Sequence, residues 1–266
     1  MPHISRSTNL VFKNLYLLIL RDLKIFFRDA AAYFLNSFIW ILSTISLGAY
    51  FLPLLGMTRA FGTFILASSL ATIALFEVKR FAILFVADFC GHNQVSYDLV
   101  LPINSSFVFV QRSFVVSIKS AFLCLFLIPI SKLLFWNKID LSNFCIWKFL
   151  LIFVVANIML GFFGLFFAGL IRDIDRAKNM CRRIFFPLWF LGGYEFSWAM
   201  MHKVVPVLAF LSLANPVIYV MEGYRSTILG PSGSLNFWIC ISMIAIFSVV
   251  FYLRGICLLK RRLDCI

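Results

Sequence analysis

The sequence has little charge of either sign, and acidic residues are particularly few. Charged residues make up 13% of the 266 residues, with 11 Asp and Glu against 24 Lys and Arg, while 62% of the chain is apolar. A soluble domain is usually about half apolar and about one quarter charged. This composition therefore excludes an ordinary soluble domain and indicates an integral membrane protein, in agreement with the mean hydropathy of +0.98.

Motifs for metal and nucleotide chemistry are also missing. The 3 histidines lie far apart without an H-E-x-x-H motif, and the 7 cysteines contain no C-x-x-C pair. The pattern therefore indicates no metalloprotease, zinc site or disulfide framework. A G-x-x-x-x-G-K-S/T phosphate loop is absent too, so the chain cannot hold a nucleotide by that mechanism. We expect no cofactor, no metal and no catalytic residue in this chain.

The excess of basic residues has two possible meanings. Nucleic acid would be a natural partner for a basic soluble protein, but cytosolic loops of membrane proteins are rich in Lys and Arg for orientation alone. We therefore expect no nucleic-acid partner. No stretch has the charged start, short apolar run and cleavage site of a signal peptide, since residues 1–28 carry charge throughout. The N-terminus is expected to stay in the cytosol.

Apolar runs predict a single all-α membrane domain over residues 1–266, with six transmembrane helices. Residues 235–266 are expected to supply the sixth helix and a cytosolic tail, after five helices within residues 30–203. The expected spans are 30–55, 60–76, 113–131, 149–171, 184–201 and 235–253. Glycines in the fourth span, at Gly161, Gly164 and Gly169, permit close contact with neighbouring helices.

The segment before the first span has a different character. Within residues 5–29, Arg21, Lys24 and Arg28 fall along one stripe of a helix. Residues 1–29 are therefore predicted to form an interfacial helix in the headgroup plane, whose basic face holds either anionic lipid or an acidic partner protein. Between the second and third spans, residues 95–101 predict a short cytosolic helix.

A broken apolar segment follows the fifth span. Residues 204–221 are about as long as a span but contain Pro206 and Asn215-Pro216. Proline removes a backbone donor and disfavours helix at the preceding residue, so two short helices are expected. Broken backbone at membrane depth persists only where protein or a water-filled cavity covers it. We therefore expect residues 204–230 to form a re-entrant hairpin beside a pathway.

Basic residues predict the orientation of the chain. With six spans, 17 of the 24 Lys and Arg lie in segments expected in the cytosol and 6 lie in outer segments, while Lys119 lies inside a span. This bias places both termini in the cytosol. A seventh span at residues 204–221 would put the basic C-terminal tail outside, so the charge rule favours the hairpin.

Two charged residues inside predicted spans leave alternatives open. Lys119 either reaches the membrane surface along its apolar stem or takes part in a pathway. Glu195 lies beside Tyr194 toward the outer end of the fifth span. It either lines the exit of the pathway or pairs with Arg225 or Lys203 of the hairpin.

Residues 214–230, ANPVIYVMEGYRSTILG, resemble a motif of the permease subunit of ABC-2 type transporters: N-P, a hydrophobic residue, Tyr or His, polar residues, Arg and a final Leu-Gly. The stretch Arg21-Asp22-Leu23-Lys24 is similar to that family's N-terminal helix. Phe76-Glu77 and residues 97–103 are similar to the nodulation-factor and daunorubicin exporter branch. The chain lacks the Leu-Gly-x-x-Trp of many polysaccharide permeases. It has Gly192-Gly193-Tyr194-Glu195-Phe196 where the family usually has Ser-Gly followed by Phe-Pro.

The resemblance implies a multi-pass subunit of an exporter in a bacterial inner membrane. Two permeases, as a homodimer or with a paralogous permease, would form the pathway within membrane lipid, and two cytosolic ATPase subunits would hydrolyse ATP. The cargo would be a glycolipid, a lipid-linked oligosaccharide or a hydrophobic drug. The implied ATPase contacts are Arg21, Lys24, Arg28, His92, Tyr97, Asp98 and Leu101. The candidate pathway or gate residues are Lys119, Tyr194, Glu195, Asn215, Pro216, Tyr219, Glu222 and Arg225.

Two other functions remain as alternatives. A membrane-embedded glycosyl- or acyltransferase would need acidic, His or Ser side chains clustered at one interface, and the sequence shows no such cluster. A channel or assembly protein that does not pump would share the spans without needing an ATPase.

Overall fold

The computed structural model of the chain is helical throughout the residues that it describes, which are 2–56, 61–89, 94–100, 104–171 and 173–263. No strand occurs within those ranges. The helices in chain order are α1 (Pro2–Ser46), α2 (Leu52–Leu54), α3 (Phe61–Ala87), α4 (Gln94–Val100), α5 (Ser105–Leu125), α6 (Leu127–Leu134), α7 (Ile146–Leu170), α8 (Ile174–Leu191), α9 (Trp198–Val204), α10 (Pro206–Ser212), α11 (Pro216–Ile228) and α12 (Phe237–Leu263).

Several of these helices are long and apolar enough to cross a membrane. Among the described residues there are 4, or up to 5 if the bent pair α10 and α11 counts as one span. The chain is therefore a multi-pass membrane protein by the length and composition of its helices. The four helical stretches are Lys13–Leu54, Ser105–Leu134, Ile146–Leu170 and Phe237–Leu263. The predicted spans at 60–76 and 184–201 are not among them, and the count of six stays a prediction.

The first two predicted elements are one helix. The 45 residues of α1 continue through a π-helical stretch, Leu47–Phe51, into α2. The predicted boundary near residue 29 is wrong because no proline or glycine lies between Pro2 and Gly48, so nothing in the sequence ends the helix there. The placement of its first part in the headgroup plane stays a prediction.

The predicted fifth span is also discontinuous. Helix α8 begins at Ile174, ten residues before that span, and ends at Leu191. Gly193 follows with φ 84°, a left-handed conformation that glycine adopts readily, and a loop leads to α9. The sequence of this span predicts interruptions at Pro187 and at Gly192-Gly193. The interruption at the glycine pair is confirmed, whereas the one at Pro187 is wrong, because Pro187 lies inside α8.

Prolines divide the next segment as predicted. Pro206 begins α10 and Pro216 begins α11, where a missing backbone donor costs nothing. The axes of α10 and α11 differ by 98°. The break is therefore confirmed, while its position in the membrane as a re-entrant hairpin stays a prediction.

Helix α11 lies at the centre of the bundle. All 13 of its residues are buried, and it packs against α3, α7 and α12. It is therefore enclosed by apolar helices although it contains Glu222, Arg225 and four hydroxyl side chains, those of Tyr219, Tyr224, Ser226 and Thr227.

Small residues let α7 approach its neighbours. A Cβ atom on Gly161 would lie 2.7 Å from the backbone oxygen of Ser113 in α5, and one on Gly169 would lie 3.0 Å from the Cβ of Leu258 in α12. Gly164 likewise faces Val78 of α3, at 3.1 Å. The predicted close contacts of these glycines are confirmed, and each glycine meets a different helix.

Candidate functional site

Glu222 and Arg225 form an ion pair inside the bundle. Arg225 Nη1 lies 2.9 Å from Glu222 Oε1. The side chain of Arg225 is 1% exposed and that of Glu222 is 0% exposed. Their spacing of three residues places both on one face of α11. Removing two charges from water is costly, so such a pair persists only where their other hydrogen-bonding groups are also satisfied.

Glu222 binds two backbone amides in addition to Arg225. Its Oε1 accepts a hydrogen bond from the amide of Trp198 at 2.9 Å, and its Oε2 accepts one from the amide of Leu235 at 3.0 Å. The carboxylate therefore holds the first residue of α9 and the segment just before α12 against α11.

Arg225 binds the loop between α8 and α9 and also contacts α3. Its side chain lies between the two, and its guanidinium carbon is 3.7 Å from the centre of the Phe64 ring. Its hydrogen-bond acceptors besides Glu222 are Ser68 Oγ at 2.5 Å and the carbonyl oxygens of Gly193, of Tyr194 at 3.1 Å and of Phe196 at 3.2 Å. The ion pair thus joins α3, the 193–196 loop, α9 and the segment just before α12.

The bend before α11 has its own polar contacts. Asn215 Oδ1 accepts from the amide of Val217 at 3.0 Å, and its Nδ2 donates to the carbonyl of Leu188 at 2.6 Å. The Tyr219 hydroxyl donates to the carbonyl of Leu213 at 2.8 Å. Asn215, Pro216 and Tyr219, predicted as pathway or gate residues, therefore fix the path of the backbone around the bend.

Glu195 is not paired with the hairpin. Its side chain is exposed and makes no ion pair among the described residues, so the predicted pairing with Arg225 or Lys203 is wrong. The physical reason is local, since Glu222 lies one turn from Arg225 on the same helix. Glu195 instead lines a cavity of about 460 Å³ together with its neighbour Tyr194. The cavity lies between α1, α3 and the 193–196 loop.

Lys119 lies half-buried on α5, away from that cavity. Its Nζ is 5.7 Å from the centre of the Phe26 ring of α1. A cation over an aromatic face is a favourable contact. The position is compatible with either predicted role of Lys119, and the choice between them stays open.

A second charged cluster fixes α4. Arg21 of α1 donates to both carboxylate oxygens of Asp98, at 2.7 Å and 3.0 Å, and Arg112 of α5 donates to Asp98 Oδ2 at 2.6 Å. Asp98 is only 2% exposed. Burial alone would raise the pKa of Asp98, but the hydrogen bonds and charges of Arg21 and Arg112 together outweigh burial and lower it.

Asp22 extends the cluster on the side of α1. Its carboxylate accepts from Arg21 Nε at 3.0 Å and from Gln111 Nε2 at 3.1 Å, and it lies 3.8 Å from Arg112 Nη1. Sequence reasoning missed Asp22, Gln111 and Arg112 as members of one site. The usable signal is the scarcity of acidic residues, because a buried carboxylate in such a chain needs a basic partner.

The predicted ATPase contacts occupy different environments. Arg21 and Asp98 bind each other, whereas Lys24 and Arg28 are exposed on α1. Tyr97 is exposed on α4, and the last two predicted contacts, His92 and Leu101, lie outside the described residues.

The outer face of α4 is apolar. Tyr97 is 75% exposed and Val100 is 83% exposed, although the same helix is held firmly by Asp98. A short helix that is fixed on one face and apolar on the other presents a contact surface.

No group of three metal-ligating side chains occurs within the described ranges. The described residues instead form three other features. These are the buried Glu222–Arg225 ion pair, an aromatic cavity lined by one carboxylate, and a fixed apolar surface on α4. No protein-family model and no curated protein matches the chain.

Proposed function

We propose that this chain is the membrane subunit of an ATP-driven exporter in a bacterial inner membrane. It works as a homodimer or with a related permease, both of its termini face the cytosol, and two separate ATPase subunits hydrolyse ATP. Its cargo is an amphiphile such as a glycolipid, a lipid-linked oligosaccharide or a hydrophobic drug.

The single observation that carries this proposal is the attachment of α4. Arg21 and Arg112 hold Asp98 from two different helices, while Tyr97 and Val100 point their apolar side chains away from the bundle. Side chains that bind a carboxylate from two sides fix its position more firmly than one contact does. A partner bound to Tyr97 and Val100 would therefore move α4 together with α1 and α5.

The positions of α1 and α5 connect this surface to the rest of the bundle. Helix α1 runs from the Arg21 contact to Trp40 and Thr44, which line the 460 Å³ cavity. A displacement of α1 at its cytosolic end changes the walls of that cavity at the other end. Switching by rigid movement of packed helices is a common mode of coupling.

The proposal is tested by purifying the tagged chain in lipid nanodiscs from the cells that express it. We expect a nucleotide-hydrolysing subunit to co-purify and its ATP hydrolysis to fall when Asp98→Asn frees α4. A matched control is Asp29→Asn, which removes an exposed carboxylate from α1 without touching α4.

Three results would contradict the proposal. Purification without any ATPase, combined with cargo movement that survives removal of ATP, would favour a channel. Turnover of lipid or sugar donors by the purified chain alone would favour a membrane-embedded transferase. Hydrolysis by the partner that is the same with and without this chain in the vesicles would favour an assembly protein.

A further inference from the structure

The cavity of about 460 Å³ beside the 193–196 loop has an unusual lining for a chain with so many basic residues. Glu195 is the only charged side chain that lines it within the described part of the chain. The other lining side chains are aromatic or apolar except Thr44, and two of them, Thr44 and Tyr194, carry a hydroxyl group. The charge that the described residues contribute to the cavity is therefore negative.

Among the described residues, the carboxylate of Glu195 has no basic partner. Arg225 donates to the carbonyl of Tyr194 in this loop and forms its ion pair with Glu222. No described Lys or Arg forms an ion pair with Glu195 itself. The buried Arg225 is thus neutralised within the bundle, and the exposed carboxylate remains at the cavity.

Three aromatic rings stand together in the same wall. The ring centres of Trp189 and Tyr194 are 4.7 Å apart, and that of Trp40 lies 6.3 Å from Trp189 and 6.5 Å from Tyr194. Aromatic faces attract cations through their quadrupole, most strongly in the case of Trp. Clustered rings near a carboxylate are the arrangement that quaternary ammonium and similar cations prefer.

The wall also contains a hydrogen-bond donor that is not used. Trp189 Nε1 donates to Thr72 Oγ1 at 3.0 Å, but the buried Nε1 of Trp40 has no acceptor among the described residues. A buried donor without a partner costs free energy, and an oxygen atom from a ligand or water would remove that cost.

We propose that this cavity binds a lipophilic cation, with the positive charge between Glu195 and the rings of Trp40, Trp189 and Tyr194. The inference deepens the proposed function by naming the class of cargo, and it rests on that function only for what happens after binding. A sugar headgroup fits less well because the walls supply few hydrogen-bonding side chains. An anion would be repelled by Glu195.

The test is equilibrium binding of radiolabelled tetraphenylphosphonium to the purified chain in nanodiscs of zwitterionic lipid, with empty nanodiscs subtracted. No ATP and no partner are needed, so failure of export and failure of binding are distinguishable. We expect saturable binding that tetraphenylsilane, which has the same four rings but no charge and no hydrogen-bond acceptor, displaces poorly.

Variants locate the site. Glu195→Gln removes the charge with little change of volume and should weaken binding about fivefold, as expected for a solvated charge pair near 4 Å. The control Asp140→Asn neutralises another exposed carboxylate, which does not line this cavity, and should bind as the wild type does. Since Glu195 is exposed, its variant should fold normally.

Two results would overturn the inference. One is binding that is absent or non-saturable in the wild-type chain. The other is equal affinity of the Glu195→Gln variant and the wild type.

Discussion

Individual charged residues hold distant parts of the bundle together, and each one matters because the bundle contains few of them. Glu222 and Arg225 hold elements that are distant in sequence, from Ser68 of α3 to Leu235 before α12. Asp98 likewise connects α4 to α1 and α5 through Arg21 and Arg112. In an apolar bundle such contacts also determine which helix faces meet, because apolar packing alone is not directional.

Removing one member of the buried pair should destabilise the chain strongly. Glu222→Gln leaves Arg225 charged and buried, and the loss of a buried partner costs about 3–5 kcal/mol. We expect a large decrease in the thermal midpoint of the purified protein in detergent, measured by the reactivity of its buried cysteines toward a fluorescent maleimide.

The comparison variant for this experiment is Glu195→Gln, in which an exposed carboxylate that forms no ion pair with any described residue is changed in the same way. Its midpoint should stay close to that of the wild type. Similar decreases for both variants would show that the Glu222–Arg225 pair has no special importance for stability.

Asp98→Asn should loosen α4. Charge-assisted hydrogen bonds contribute about 1.5–3 kcal/mol each, so amide hydrogen exchange in α4 should become at least about tenfold faster. Because its pKa is lowered, the carboxylate is ionised in the folded chain above its ordinary pKa of about 3.9, and its stabilisation is lost only as the pH falls through the lowered pKa.

Exchange in α4 of the wild type should therefore stay slow throughout the neutral range once intrinsic rates are corrected for. The control is Asp29→Asn, whose carboxylate is exposed and lies 3.6 Å from Arg28. Unchanged protection of α4 in the Asp98 variant would mean that Arg21 and Arg112 do not hold this helix.

At the scale of whole elements, close helix contacts depend on small residues of α7. Gly161→Ala would place a methyl group against Ser113 and Ser117 of α5, where both backbone and side chain leave no room. Overpacking of this kind costs about 1–3 kcal/mol. The thermal midpoint should fall, whereas Val154→Ala on an exposed face of the same helix should change it little.

A midpoint for the Gly161→Ala variant equal to that of the wild type would contradict this contact. It would mean that α5 and α7 can separate without loss of stability.

Elements marked by backbone chemistry were predictable from the sequence, and elements set by distant contacts were not. Pro206 and Pro216 predict the broken pair because proline acts on its immediate neighbours. The length of α1 was mispredicted because its charges suggested a boundary that the backbone does not have. Helix α5 also begins at Ser105, eight residues before the expected third span, and Arg112 in this added part is neutralised by Asp98 and Asp22, which meet it only in the folded chain.

The same distinction applies to the candidate site. The importance of residues 214–230 was visible in their Asn-Pro and in the rarity of charges within an apolar run. The partners of Glu222 and Arg225 were not, because Trp198, Leu235 and Ser68 meet them only in the folded chain. Glu222 and Arg225 themselves lie one helical turn apart, so their pairing could have been inferred once α11 was predicted.

At the scale of the whole molecule, the Asp98 cluster lies at the proposed partner surface on α4, and the cavity of about 460 Å³ lies farther along α1. Helix α1 passes through both, from Arg21 to Trp40. The exposed face of α4 is where the proposed ATPase subunit would bind. Whether an ATPase binds this surface therefore distinguishes an ATP-driven transporter from a membrane-embedded transferase and from a channel or assembly protein.

Photo-crosslinking from α4 in living cells tests this most directly. A benzophenone amino acid replaces Tyr97 on the exposed face of α4, and in a control strain it replaces Val249 on an exposed face of α12. We predict that the Tyr97 position forms an adduct with a protein that carries a nucleotide-binding phosphate loop, and that Val249 does not. The account of an ATP-driven transporter coupled through α4 would be contradicted if position 97 formed no adduct with a protein of this kind. Identical adducts at both positions would contradict it as well.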